Sequence, residues 1–168
     1  MTKVMVPSFG WVYIVLVLDW YTKKLVGYYA GVQCKTTHWL EALYLAVNRQ
    51  FPNGSRDQGL HLMSDNGCQP TSESFMKSCH HLGIAQAFTS YNNPKGNADT
   101  ERVMRTLKEE LIWLKEWDSP LELIEALKNW VEVDYNERYL HSTLGYIPPA
   151  VFERQHQQPS HMSLLTTA

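Results

Sequence analysis

Residues 11–18 (WVYIVLVL) form an unbroken apolar run rich in aromatic and β-branched side chains. Such a run predicts a buried strand. Residues 24–32 (KLVGYYAGV) predict a second strand. Only residues 19–23 lie between them, so the two should pair as an antiparallel hairpin. Residues 2–6 (TKVMV) read as the tail of a preceding strand. Over residues 37–48 the positions Leu40, Leu43, Tyr44 and Val47 recur at helical spacing, with Thr36 or Thr37 as the cap. Residues 50–59 hold the Pro, Gly and Asn of a loop.

A short strand over 60–63 follows, then a helix over 71–82 that should bury Phe75, Cys79 and Leu82 and stop at Gly83. Residues 84–88 predict another short strand, and the polar stretch 90–97 (SYNNPKGN) a loop. Two helices complete the pattern. The first covers 99–114, with Val103, Leu107, Leu111 and Leu114 within about 80° of one another on its buried side. The second starts at Ser119-Pro120-Leu121-Glu122, a capping box with Pro at the first helical position, and runs to about residue 137. The tail after Gln155 is polar and should fray. Strands, helix, strand, helix, strand and then helices describe an α/β fold with a mixed sheet.

Composition narrows the class. At 168 residues, 44% hydrophobic and 19% charged, the chain matches one soluble globular domain with its own core. The longest apolar run, eight residues, is too short for a bilayer and lacks a signal peptide's flanks, which implies a cytoplasmic protein. Cys34, Cys68 and Cys79 are odd in number and sparse. That argues against a disulfide framework, and without a Cys-x-x-Cys pair a structural zinc site has no support. Cys79 reads as a small buried thiol on its helix, despite His80 and His81 beside it. The formal net charge of −2 is unusual for a nucleic-acid binder. Either the chain does not bind nucleic acid, or it does so through a local basic patch helped by cations.

Two carboxylates draw attention. Asp65 sits in Ser64-Asp65-Asn66-Gly67, directly after the strand at 60–63, where α/β sheets place ligands. A solvated turn aspartate is the competing reading. Glu101 lies near the start of its helix, roughly opposite the buried stripe, with Arg105 and Lys108 within about 40° of it. It is either part of a solvated face or a carboxylate flanked by cations and presented to an anionic polymer. Carboxylates brought together from separate elements repel unless a cation neutralises them. Hard oxygen ligands suit Mg²⁺ or Mn²⁺, which can activate the attacking oxygen and stabilise the leaving one at a phosphodiester.

Four blocks then give a more specific signal: VLDWYTKKLVGYY (17–29), SDNGCQPTSESFMKSCHHLGI (64–84), SYNNPKGNADTERVMRTLKEEL (90–111) and YNERYLHSTLGYIPPAVFE (135–153). In that order they resemble the integrase core of bacterial insertion-sequence transposases, relatives of retroviral integrases with a ribonuclease H-like mixed sheet flanked by helices. The resemblance covers residues 11–153, and the 35 residues between Asp65 and Glu101 equal the family's interval. It implies that Asp65 and Glu101 are the second and third metal ligands, holding Mg²⁺ or Mn²⁺ for DNA cleavage and strand transfer. It implies phosphate contacts at Lys95, Arg105 and Lys108, against the bland reading of solvated surface charges. Asn66, Gly67 and Asn97 would shape the loops beside the site, and His141 reads as a structural histidine. The implied partners are DNA, as element ends and target, and further copies of the chain on that DNA. The implied location is the bacterial cytoplasm, at the nucleoid when DNA is bound. Residues 1–155 would be the catalytic core and 156–168 a polar tail.

One ligand of the family's pattern is missing. Its first aspartate lies on the first strand, in a pattern like Trp-x-x-Asp-aliphatic-Thr, and here Met1 and Thr2 align with the two residues after it. The chain therefore reads as truncated just past that aspartate, and also lacks an upstream DNA-binding region. Asp19, at the end of the second strand, is an additional acidic position rather than a substitute ligand. Two alternatives follow: a catalytically inactive transposase remnant that binds DNA or a transposase partner, and a ribonuclease H-like nuclease acting on RNA–DNA hybrids.

Overall fold

The computed structural model describes residues 1–89, 98–156 and, for the backbone alone, 164–167. Three antiparallel strands open the chain: β1 (Thr2–Val6), β2 (Gly10–Asp19) and β3 (Leu25–Gly31). The expected hairpin is present, with a register shift between Val17 and Leu18. Helix α1 (Thr36–Gln50), β4 (His61–Ser64), α2 (Glu73–His81) and β5 (Ala85–Phe88) follow. Then come α3 (Ala98–Glu110), α4 (Pro120–Asn129), α5 (Pro149–His156) and β6 (Leu164–Thr167). No helix among the described residues is long and apolar enough to cross a membrane.

Across the sheet, β3 flanks β2 on one side. On the other side β2 meets β1 along residues 10–14 and β6 along residues 17–19. β4 pairs in parallel with β6 and with β5. The sheet is thus mixed. Alternation along β2 sends Val12, Ile14, Leu16 and Leu18 to one face and Val15 and Val17 to the other. The first face is covered by Val103, Met104 and Leu107 of α3, Leu123 and Leu127 of α4, and Trp130 and Tyr135. The second is covered by α1 and by Phe75 and Cys79 of α2. Both layers of helix are needed because a strand apolar on both faces must be covered twice. The Cys79 thiol is buried, as expected, and burial pushes its pKa up to about 12.

Several details differ from the sequence pattern, each for a physical reason. The inner face of α1 is Trp39, Ala42, Leu43, Ala46 and Val47, whereas Tyr44 is exposed and Leu40 only partly covered. Small residues face the sheet because the helix lies directly against Gly27, where a Cβ would come within 2.2 Å of the Ala42 carbonyl oxygen. The cap of α1 is Lys35, not a threonine: its backbone N–H donates to His38 Nδ1 at 3.0 Å. α3 ends at Glu110, and a 3-10 turn over Ile112–Leu114 rotates the chain. Ile112 is buried in consequence and Leu114 is 70% exposed, in place of the expected Leu111–Leu114 stripe. Ser119 caps α4 by accepting from the Glu122 N–H at 3.2 Å, while the Glu122 carboxylate accepts from the Asp118 N–H, one residue earlier than a standard capping box. Beyond α4 the helix widens to π-type turns over Trp130–Arg138. The tail does not simply fray: residues 164–167 form β6. The loop at 90–97 lies outside the described residues, and with it Lys95 and Asn97.

Candidate active site

Asp65 follows the last residue of β4, so its placement is set by the sheet. Buried Ser64 donates its hydroxyl to the Asp65 carbonyl oxygen at 3.1 Å. The Gly67 N–H donates to Asp65 Oδ1 at 2.9 Å and closes an Asx turn. A Cβ at Gly67 would sit 2.8 Å from that same oxygen, so glycine lets the turn close without displacing the carboxylate. Asn66 Nδ2 donates to the Thr89 carbonyl at 3.1 Å, which ties the turn to the end of β5. Asn66 and Gly67 therefore shape this loop as the sequence suggested.

Glu101 comes from the first turn of α3. The start of that helix is anchored from outside: Lys23 Nζ lies 2.7 Å from Asp99 Oδ2, and Arg102 donates to Ser142 Oγ at 3.4 Å. Thr100, Val103 and Met104 are buried, which leaves Glu101 and Arg105 on the outer side and Lys108 half-buried. The i,i+4 ion pair that a plain solvated face would favour does not join Glu101 to Arg105. Among the described residues such pairs are Glu73–Lys77 and Asp134–Arg138.

Asp65, Glu101, Arg105 and Lys108 line one cleft of about 390 Å³, together with Met1, Thr100, Met104 and Trp113. Four residues singled out from the sequence thus converge from β4 and α3. The convergence favours a shared role over a lone turn aspartate, since two carboxylates and two cations facing one cleft suit an anionic ligand bridged by a hard cation. Among the described residues, no group of three or more His, Cys, Asp or Glu side chains is placed to hold a metal. The donor chemistry of Asp65 and Glu101 nevertheless fits Mg²⁺ or Mn²⁺, which take oxygen ligands and keep several waters.

Met1 brings the head of β1 to the same cleft. Thr100 is the residue sequence reasoning missed: it is buried, lines the cleft, and its hydroxyl has no hydrogen-bond partner among the described residues. Its only sequence signal is its place directly before Glu101. Met104 and Trp113 carried none, since each reads as ordinary helix packing.

Two other candidates fall elsewhere. Asp19 is buried and clamps the β2–β3 turn, accepting from the Tyr21 N–H at 3.0 Å and the Thr22 hydroxyl at 2.7 Å. Burial pushes its pKa up, and those hydrogen bonds hold it back. It does not line the cleft of Asp65 and Glu101. His141 is buried with Nδ1 2.9 Å from Thr143 Oγ1, a satisfied structural histidine.

Comparison with known proteins bears on the family and the fold. The integrase core domain family matches residues 1–94, and a second profile of the same description matches residues 82–149. The chain is 29% identical over 149 residues to the insertion element IS600 uncharacterized 31 kDa protein of Shigella sonnei, covering 89% of this chain and 53% of that one. It is 26% identical over 145 residues to the transposase for insertion sequence element IS904 of Lactococcus lactis subsp. lactis, covering 86% and 56%. It therefore spans about half the length of these relatives. The catalytic core domain of BIV integrase superposes with a TM-score of 0.60 at 20% identity, covering 93% of each chain. A chain of the simian T-cell lymphotropic virus intasome, solved in complex with PP2A regulatory subunit B56 gamma, gives 0.68 at 15% identity, covering 95% of this chain and 54% of that one. The fold is the ribonuclease H-like fold of retroviral integrase catalytic cores.

Proposed function

The chain belongs to the integrase core domain family, and from that premise we propose that it is the phosphoryl-transfer core of an insertion-sequence transposase, acting on DNA at element ends. The observation that carries this reading is the meeting of Asp65 and Glu101, with 35 residues between them and on different elements, in one cleft with Arg105 and Lys108. Residues 1–155 are the core in this reading.

Each residue has a distinct task. Asp65, fixed by the turn after β4, and Glu101, fixed on α3, would hold a divalent cation through carboxylate oxygens. The ion, when bound, supplies Lewis-acid activation at the phosphodiester. Arg105 and Lys108 attract and orient the phosphate backbone, with Lys95 as a further contact. Several copies on paired DNA ends complete the working assembly. The relatives' names place transposition in this family's company: one is a transposase for IS904.

Binding of Mn²⁺, followed by paramagnetic broadening in NMR spectra, tests the site without requiring turnover. Broadening centred on residues 64–67 and 100–105, abolished by Asp65→Asn and by Glu101→Gln, is expected. Broadening elsewhere, or broadening unchanged in both variants, would defeat the assignment. With element-end DNA and Mn²⁺, any strand cleavage should fall by about 100-fold or more in each variant, in line with loss of a metal ligand's function.

A second reading has its own support. No third acidic or His/Cys ligand joins Asp65 and Glu101 among the described residues. A non-catalytic relative that binds DNA or a transposase partner would show the Mn²⁺ and DNA binding without cleavage. An RNA–DNA hybrid cut in preference to element ends would instead favour a nuclease.

A further inference from the structure

The chain leaves helical geometry after Glu110, with Leu111 at φ −130° and ψ −60°, and the 3-10 turn over Ile112–Leu114 follows. That turn is held from beneath. Ile112 is buried, and the buried Trp117 indole donates from Nε1 to the Ile112 carbonyl oxygen at 3.2 Å. Lys115 Nζ sits 4.7 Å from the centre of the Trp117 ring and pairs with Glu122. These contacts fix the backbone on both sides of Trp113. Its own ring is 67% exposed, with no hydrogen bond or ring partner among the described residues. A single exposed aromatic is ordinary, but this one lines the cleft of Asp65 and Glu101. Along α3 and its turn the cleft presents the Glu101 carboxylate, then the Arg105 and Lys108 cations, then the indole. Arg105 and Lys108 make no ion pair among the described residues. Leu114 and Leu121 are exposed as well, yet neither lines the cleft. Inside it the aromatic ring keeps company with charge, which suits a nucleic acid better than the apolar centre of a protein interface.

We infer that Trp113 is a stacking platform for an unpaired base of the DNA strand bound across Arg105 and Lys108, so that the cleft takes single-stranded or locally opened DNA. The inference rests on the DNA-processing reading and deepens it. One strand presents two chemically different surfaces, phosphates that need cations and bases that need a flat apolar ring. The cleft offers both, and the buried Thr100 hydroxyl, without a partner among the described residues, is a spare group for a sugar or phosphate oxygen. A base inside a duplex has its faces covered by its neighbours and has none to give the indole. An unpaired base does, and every base has such a face. Stacking on Trp113 therefore holds the strand without reading its sequence. The rigid turn matters here, because an indole already fixed in place loses little freedom when the base arrives.

Fluorescence anisotropy with a labelled oligothymidylate, beside an abasic oligomer of the same length, tests the inference. Trp113→Ala should weaken binding of the oligothymidylate about 5- to 150-fold, the equivalent of one stacked base. Binding of the abasic oligomer should stay within about twofold, because that strand keeps its phosphates but has no base to stack. Trp113→Phe should retain most of the affinity. Arg105→Ala and Lys108→Ala should weaken both oligomers alike, since phosphate contacts ignore the base. Unchanged oligothymidylate binding in Trp113→Ala, or an equal loss for both oligomers, would overturn the platform and leave the DNA reading standing. If neither oligomer binds, or if both cation variants bind as the parent does, the DNA reading and the platform fall together. Self-association abolished by Trp113→Ala and by Leu114→Ser, with oligonucleotide binding untouched, would give the ring to a second copy of the chain instead.

Discussion

His141 is packed edge-on against the Tyr139 ring, at 5.9 Å between centroids, and is closed off from solvent. Burial, then the nearby Arg102 and Lys23 cations, lower its pKa below the ordinary imidazole value, while Asp99 pulls weakly upward. As pH falls, the unfolded chain takes up the proton first. His141 therefore makes stability fall once pH drops below about 6.5, with the loss continuing down through its lower folded pKa. Urea midpoints measured from pH 7.5 to 5 should show that decline, and His141→Gln should flatten it. A slope identical in the variant would assign the decline to other groups. The same scale explains what could be read in the site. Asp65 and Glu101 stood out as a carboxylate after a strand and one opposite a buried helical stripe, but those positions alone left the bland readings open, and the four blocks resembling the integrase core joined the two into one site. Thr100 was not, because an orphaned hydroxyl is defined by the absence of partners, which only the packed structure reveals.

At the scale of elements, hydrophobic periodicity located nearly all the strands and helices but misjudged faces where backbone proximity mattered. On α1 the large residues Leu40 and Tyr44 looked like core, yet Ala42 and Ala46 face the sheet because Gly27 lets the helix approach. Gly27→Ala should cost about 1–3 kcal/mol, since its Cβ would meet Ala42 O at 2.2 Å and Ala46 Cβ at 2.8 Å, a case of overpacking against backbone. Chemical denaturation measures it, and a loss under a few tenths of a kcal/mol would show that α1 can shift outward freely. Ser119→Ala removes the hydroxyl that accepts from the Glu122 N–H, and should cost about 1 kcal/mol. β6 was illegible for a different reason: a short polar tail has no period to detect, and its conformation is set by the two strands on either side of it.

For the whole molecule, a net charge of −2 gives no hint of a polyanionic partner. In the proposed reading the relevant charge is local, with Arg105 and Lys108 beside two carboxylates that a divalent cation would neutralise. If both cations contact phosphate, Arg105→Ala and Lys108→Ala should each reduce the slope of log K against log salt by about 0.9. A slope unchanged in both would remove them from the DNA contact. The open margin of the sheet has its own guard. On β3, the Asn136 side chain accepts from the Leu25 N–H and donates to the Leu25 carbonyl, both at 2.9 Å. Its amide imitates one residue of a neighbouring strand, and so occupies hydrogen-bonding groups that a passing chain would otherwise pair with. Asn136→Leu would keep the bulk and lose the imitation, leaving that margin able to recruit another molecule. Solubility, rather than chemistry, would then be the first property to fail.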